Sequence, residues 1–194
     1  MVLVEADVRR RMNGGPLDDV ALMARLARGD LDAVQALYGR FGRPLYAYVK
    51  SLVDDEGLAE EVVQDTFVAA WRSGASFENR SSLTTWLFGI ARRQARDRMR
   101  RSRPETGTDE LLEGLPAADP DPEAAALASA SRAELAVALK RLPDADREVI
   151  VLSFAYELSG PEIAEVLGVP EGTVKSRLFK ARQRLRAQLV ERDG

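Results

Sequence analysis

Leu158-Ser159-Gly160-Pro161-Glu162-Ile163-Ala164-Glu165-Val166-Leu167-Gly168-Val169-Pro170-Glu171-Gly172-Thr173-Val174-Lys175-Ser176-Arg177 is the stretch that decides how this chain is read. Ser159 and Glu162 stand at the spacing of a capping box, in which each side chain satisfies an orphan backbone N–H of the other. Ile163, Ala164 and Leu167 recur at helical spacing and give one apolar face. Gly168 follows where a helix end favours positive φ. Val169 can plug a turn. Pro170 suits the start of a second helix, because the N–H it lacks would be unpaired there anyway. Two helices joined by a turn of this chemistry make a helix-turn-helix over 159–178, with the second helix placed for a DNA major groove.

On a wheel of about 100° per residue, Leu178, Ala181, Leu185, Gln188 and Leu189 gather around Val174 and predict a core face. The opposite arc holds Gly172, Ser176, Phe179, Lys180 and Gln183, flanked by Lys175 and Arg186. Lys can reach guanine or phosphate, Ser a groove edge or phosphate, and Phe a thymine methyl. A helical hairpin with an ordinary basic solvent face is the competing reading.

The rest of the chain is read outward from there. It has 194 residues, 45% hydrophobic and 30% charged, enough for one ordinary domain or two small ones. Cys and His are both absent. That excludes disulfides, Cys- or His-ligated metal, a thiol nucleophile and a His-based triad. No apolar run approaches the roughly 18 residues of a membrane span. Arg9, Arg10 and Arg11 follow a short apolar start, the reverse of a secretory signal. The expectation is a cytoplasmic protein with no catalytic residues, no cofactor, no metal, no membrane insertion and no small-molecule substrate.

The formal net charge is −3, but it is unevenly spread. Residues 1–71 carry −4, 72–103 carry +7, 104–130 carry −7, 131–170 carry −3 and 171–194 carry +4. Clustered positive charge, rather than the net value, is the footprint of nucleic-acid binding, although a single such block can be a solvated helix face.

Ala, Leu, Arg and Glu dominate and β-branched runs are scarce, so the whole chain reads as helical. Residues 1–17 read as a flexible extension. A first helix starts at Asp18 as cap, with Val20, Ala24 and Leu26 apolar. Gly29-Asp30 ends it and caps a second helix that runs to about Val53. Asp54-Asp55 begins a third, and a fourth spans Ser82 to about Arg101. Residues 104–130, with Pro104, Pro116, Pro120, Pro122 and seven acids, read as a flexible acidic linker. Helical periodicity returns to Leu142, then over 144–156, 160–167 and 171–190. The fold class is all-α, with two small helical domains: 18–103, a bundle, and 131–192, carrying the helix-turn-helix.

Within 83–101, Leu83, Leu87 and Ile90 share one side, while Thr85, Gly89, Arg92, Arg93, Arg96 and Arg100 form an arginine stripe on the other. Such a stripe suits phosphates along one strand. Upstream, Phe77-Glu78-Asn79-Arg80-Ser81-Ser82 is a polar loop with an aromatic, able to stack an unpaired base. The helix Gly57–Arg72 sets Glu60, Glu61, Gln64, Asp65 and Trp71 against an apolar arc that includes Phe67. Trp71 fits a protein-binding surface or the core equally well.

In order and spacing, these segments resemble the bacterial sigma-70 superfamily in its small extracytoplasmic-function form, over roughly residues 18–192. Leu58 to Trp71 is similar to region 2.2, Phe77 to Arg101 to regions 2.3 and 2.4, and Tyr156 to Leu185 to region 4.2. The resemblance implies a function in which core RNA polymerase is bound, a duplex −35 element and a melted −10 element are recognised, and transcription is initiated. It implies that Glu60, Glu61, Gln64, Asp65, Phe67 and Trp71 meet the β′ clamp coiled coil, with the β flap as a second polymerase contact. It implies −10 contacts by Phe77, Asn79, Arg80, Ser81, Arg92, Arg93, Arg96 and Arg100. It further implies −35 contacts by Thr173, Lys175, Ser176, Arg177, Phe179 and Lys180, and control by an anti-sigma factor. Arg93 departs from the Asn common in the family. Other readings are a LuxR-like regulator, a sigma-like anti-sigma decoy and a nucleic-acid enzyme. The N-terminal half, the retained basic readers and the missing metal-binding cluster argue against them in turn.

Overall fold

A computed structural model describes residues 16–53, 55–77, 80–102 and 132–190, and among them every regular element is helical. Of the expected extension over 1–17, residues 1–15 lie outside the described residues, as do the linker over 104–130 and Asn79, while Pro16 and Leu17 are helical instead. The chain divides into two compact units that part at about residue 109.

The first unit contains α1 (Pro16–Ala27), α2 (Leu31–Leu52), α3 (Glu56–Ser73), a 3-10 turn (Gly74–Ser76) and α4 (Leu83–Ser102). Helix α1 begins at Pro16, so Asp18 lies in its first turn rather than at its cap. Its inward line is Asp19, Met23 and Leu26; Val20 is 40% exposed and Ala24 is exposed, so the expected apolar set holds only at Leu26. The reason is an ion pair. Asp19 accepts from Arg40 of α2 at 2.6 Å, which turns an acid inward and rotates the apolar residues with it. Burial of a charge in this way requires its partner.

Gly29 takes φ +79, the left-handed conformation that closes α1. Asp30 then caps α2, its carboxylate accepting from Asp32 N and Ala33 N. Asp55 does the same for α3 through Leu58 N at 2.7 Å, and Ser82 for α4 through Thr85 N at 3.1 Å. Ala33, Leu37, Phe41, Leu45 and Tyr48 form the buried line of α2, and the Tyr48 and Phe88 rings, 4.9 Å apart, join it to α4.

The second unit contains α5 (Arg132–Lys140), α6 (Asp144–Ile150), a π turn (Val151–Ala155), α7 (Gly160–Leu167) and α8 (Glu171–Val190). Helices α5 and α6 pack on α8, and Asp146 of α6 is paired with Arg184 of α8. The helix expected to run from 144 to 156 instead widens at Val151. An unbroken helix would set Tyr156 and Leu158 about 200° apart, with only one facing inward. After the π turn, Glu157 at φ 50 and a bond from Leu158 N to Leu152 O, all three of Leu152, Tyr156 and Leu158 are buried. No helix among the described residues is long and apolar enough to cross a membrane.

Candidate nucleic-acid and polymerase interfaces

The helix-turn-helix forms as its residues dictate. Gly168 has φ +64, and Val169 N returns to Ala164 O at 3.1 Å. The capping box is half made. Glu162 accepts from both Ser159 N (2.8 Å) and Ser159 Oγ (2.7 Å), so the serine hydroxyl serves the carboxylate instead of a backbone N–H. Along α8, Val174, Ala181 and Leu185 are buried, and Leu178 is half-buried. Lys175 and Phe179 are exposed, and Thr173, Ser176, Arg177 and Lys180 are half-buried. Ser176 Oγ donates to Thr173 O at 3.0 Å, and Lys175 pairs with Glu171 at 3.0 Å. Lys175, Ser176, Phe179 and Lys180 lie on the arc away from Val174 and Thr173 at its edge, whereas Arg177 lies about 60° from Val174, beside the core face.

Helix α4 is more deeply packed than its wheel predicts. Besides Leu83, Leu87 and Ile90, its Thr84, Thr85, Phe88, Ala91 and Ala95 are buried. Thr85 therefore leaves the expected stripe. Its exposed line runs through Arg93, Arg96 and Arg100, with Trp86, Gly89, Gln94 and Asp97 half-buried beside it. A wheel ranks polarity alone. Packing by both α2 and α3 covers an arc wider than the apolar residues mark.

The described part of the polar loop keeps Arg80 exposed and Ser81 half-buried. The Phe77 ring lies 5.3 Å from Trp86 at an interplanar angle of 58°, an arrangement typical of paired aromatics. Trp86 also walls a cleft of about 350 Å³ between α3 and α4.

On α3, Glu60, Glu61 and Gln64 are exposed and Asp65 and Phe67 half-buried. Trp71 is 52% exposed, so it is not a core residue. Two features of this face escape sequence reasoning. Arg98 of α4 donates to Glu61 at 2.5 Å and also to Asp65, and these bonds raise its guanidinium pKa further, Glu61 contributing most. Tyr38 of α2, 60% exposed, places its ring 5.2 Å from Phe67. With Leu31 and Val34, both exposed, Tyr38 continues the apolar surface of Phe67 and Trp71. Its signal was a second apolar line, at spacings of three and four, beside Ala33-Leu37-Phe41. Among the described residues no cluster of His, Cys, Asp or Glu is arranged to hold a metal ion.

Comparison with known proteins agrees with this division. Residues 37–105 match the model of Sigma-70 region 2 and residues 132–185 that of Sigma-70 region 4. The chain is 35% identical over 179 residues to the RNA polymerase sigma factor NccH of Alcaligenes xylosoxydans xylosoxydans, covering 90% of this chain and 96% of that one. It is 30% identical to the extracytoplasmic-function (ECF) sigma factor SigW of Bacillus subtilis, over 85% of this chain and 93% of SigW. Among solved structures it is similar to CnrH in complex with the cytosolic domain of CnrY. That match has a TM-score of 0.64 and 34% identity over 91% of this chain and 99% of the other. It is also similar to RpoE of Bartonella quintana in complex with the anti-sigma factor NepR, with a TM-score of 0.57 and 30% identity over 78% and 92%. Two helical units that match the two sigma-70 regions, and relatives matched almost end to end, make this chain a member of the sigma-70 family, an RNA polymerase sigma factor of the extracytoplasmic-function type.

Proposed function

We propose that the chain docks on core RNA polymerase through the α2–α3 face and reads a promoter in two parts. Unit 2 takes the −35 element as duplex on Thr173, Lys175, Ser176, Arg177, Phe179 and Lys180. Unit 1 takes the −10 element as melted strand on the Phe77–Ser81 loop and on Arg93, Arg96 and Arg100. Arg92, the fourth arginine expected on that helix, is proposed with them. The observation that carries the reading is the pairing of exposed Phe179 and Lys175 on a helix-turn-helix with a separate arginine line beside an aromatic loop. One chain so equipped addresses two forms of DNA.

The polymerase surface combines Trp71, Phe67 and Tyr38 with Glu60, Glu61, Gln64 and Asp65. Aromatic anchors ringed by charge are the composition of an energetically concentrated interface. It would dock on the β′ clamp, with the β flap as second contact. The chain places an enzyme and is not one itself, and it works in the cytoplasm with polymerase. Because CnrH and RpoE are seen bound by CnrY and NepR, an anti-sigma factor is proposed here as well. Run-off transcription with core polymerase and a randomised promoter library tests the reading. Templates sharing a −35 and a −10 motif are expected to be transcribed, and failure on every template with any core enzyme overturns it.

A further inference from the structure

The cleft between α3 and α4 has chemistry that phosphate binding leaves unused. It holds about 350 Å³ and is lined by Ser73 of α3 and by Trp86, Ile90, Arg93, Gln94 and Asp97 of α4. That volume lies at the lower end of small-molecule sites, roughly 300–1,000 Å³. The five α4 residues fall at spacings of four, three, one and three, a single line on the helix. Ile90 supplies an apolar base and Trp86 an indole wall suited to stacking. The Arg93 and Gln94 side chains make no hydrogen bond or ion pair with any described residue. Both line the cleft.

Asp97 is the informative residue. A carboxylate in the middle of an arginine line weakens its pull on phosphates, so a strand-tracking groove gains nothing from it. A carboxylate accepts hydrogen bonds only, and two adjacent acceptors match two adjacent donors. Among the four bases, only the Watson–Crick edge of guanine offers adjacent donors, N1–H and the N2 amine, with an acceptor, O6, beside them. Arg93 or Gln94 can donate to that O6. Arg100 donates to Asp97 Oδ1 at 2.9 Å, which orients the carboxylate and keeps a compensating cation next to it. In a duplex the Watson–Crick edge is occupied by cytosine, so the cleft suits an unpaired strand.

We infer that the α3–α4 cleft is a guanine pocket for the melted strand, with Trp86 stacking on the base, Asp97 accepting from N1–H and the N2 amine, and Arg93 or Gln94 donating to O6. The cleft adjoins the Phe77–Ser81 loop, whose Phe77 ring meets Trp86, and the inference rests on the reading of unit 1 as the melted-strand binder.

The test uses holoenzyme assembled from core polymerase and the full chain. Its templates are premelted in the −10 region and randomised on the non-template strand. The wild-type chain is expected to enrich guanine at one position, and Asp97→Asn to lose that enrichment while other positions stay as they were. Inosine, which lacks the N2 amine, should weaken wild-type binding on the order of 10-fold and leave Asp97→Asn indifferent. A guanine preference or an inosine penalty unchanged in Asp97→Asn overturns the pocket. So does active transcription with no guanine enrichment anywhere. Silence of the wild-type holoenzyme on every template overturns the underlying sigma reading together with the pocket.

Discussion

Lys180 tests what a single side chain on the helix proposed to read the −35 element contributes. It is half-buried on the arc away from Val174, beside exposed Phe179. Lys180→Ala is expected to weaken −35 binding and to lower the slope of log affinity against log salt by about 1, if the ammonium meets a phosphate. Fluorescence anisotropy at several salt concentrations measures both quantities. An unchanged slope with weaker binding would assign Lys180 to a base edge instead. Residues such as Lys180 and Phe179 were legible because exposure on α8 follows from a simple wheel. Arg98 was not, since its partners Glu61 and Asp65 lie 37 and 33 residues away in sequence.

Elements announce their ends more reliably than their faces. Asp30, Asp55, Ser82 and Gly168 each stand at a boundary, because caps satisfy local backbone groups and need no knowledge of the rest of the fold. Faces depend on neighbours. The inward Asp19 follows from Arg40, a residue of another helix, and the burial of Thr85 from how widely α4 is covered. The π turn at Val151–Ala155 was invisible for the same reason, since it reconciles three apolar residues with one side of the chain.

The start of α2 also carries a pH dependence. Arg25, donating to Asp30 at 2.7 Å, holds the Asp30 carboxyl below its ordinary range, with further help from Ala33 N and Asp32 N. A folded-state pKa that is depressed adds stability that is fully present above the unfolded value, roughly pH 4. It is lost as pH falls through the folded value. Thermal melts of wild type and Asp30→Asn should therefore differ most at neutral pH and converge in acid. A gap that persists in acid would show that the charge is not what matters at this cap.

At the scale of the whole chain, charge is segregated by task. The net value is −3, yet residues 72–103 carry +7 and residues 171–194 carry +4. If net charge governed DNA binding, added salt would screen repulsion and strengthen it. If the two basic blocks govern it, added salt weakens it, with a slope near −0.9 per phosphate neutralised on duplex. The second sign is expected for promoter binding by the holoenzyme at constant pH, read by filter retention from low to physiological salt. The two-unit, all-helical plan was legible as a whole, because hydrophobic period and proline placement report it directly. The Tyr38 extension of the face proposed for polymerase was not, because an apolar residue beside a core line looks like core until the neighbouring helices are in place.

Arg98 lies on α4, the helix proposed to face the melted strand, but its charge is committed to α3. To a polyanion, the effective valence of α4 is thus lower than its arginine count. A cation arriving at Glu61 and Asp65 competes with Arg98 for the same oxygens, and an anion reaching Arg98 competes with those carboxylates. Each arrival lowers the work required of the other, and reciprocity makes the gain equal in both directions. One guanidinium thereby becomes a thermodynamic hinge between the face proposed for polymerase and the face proposed for DNA.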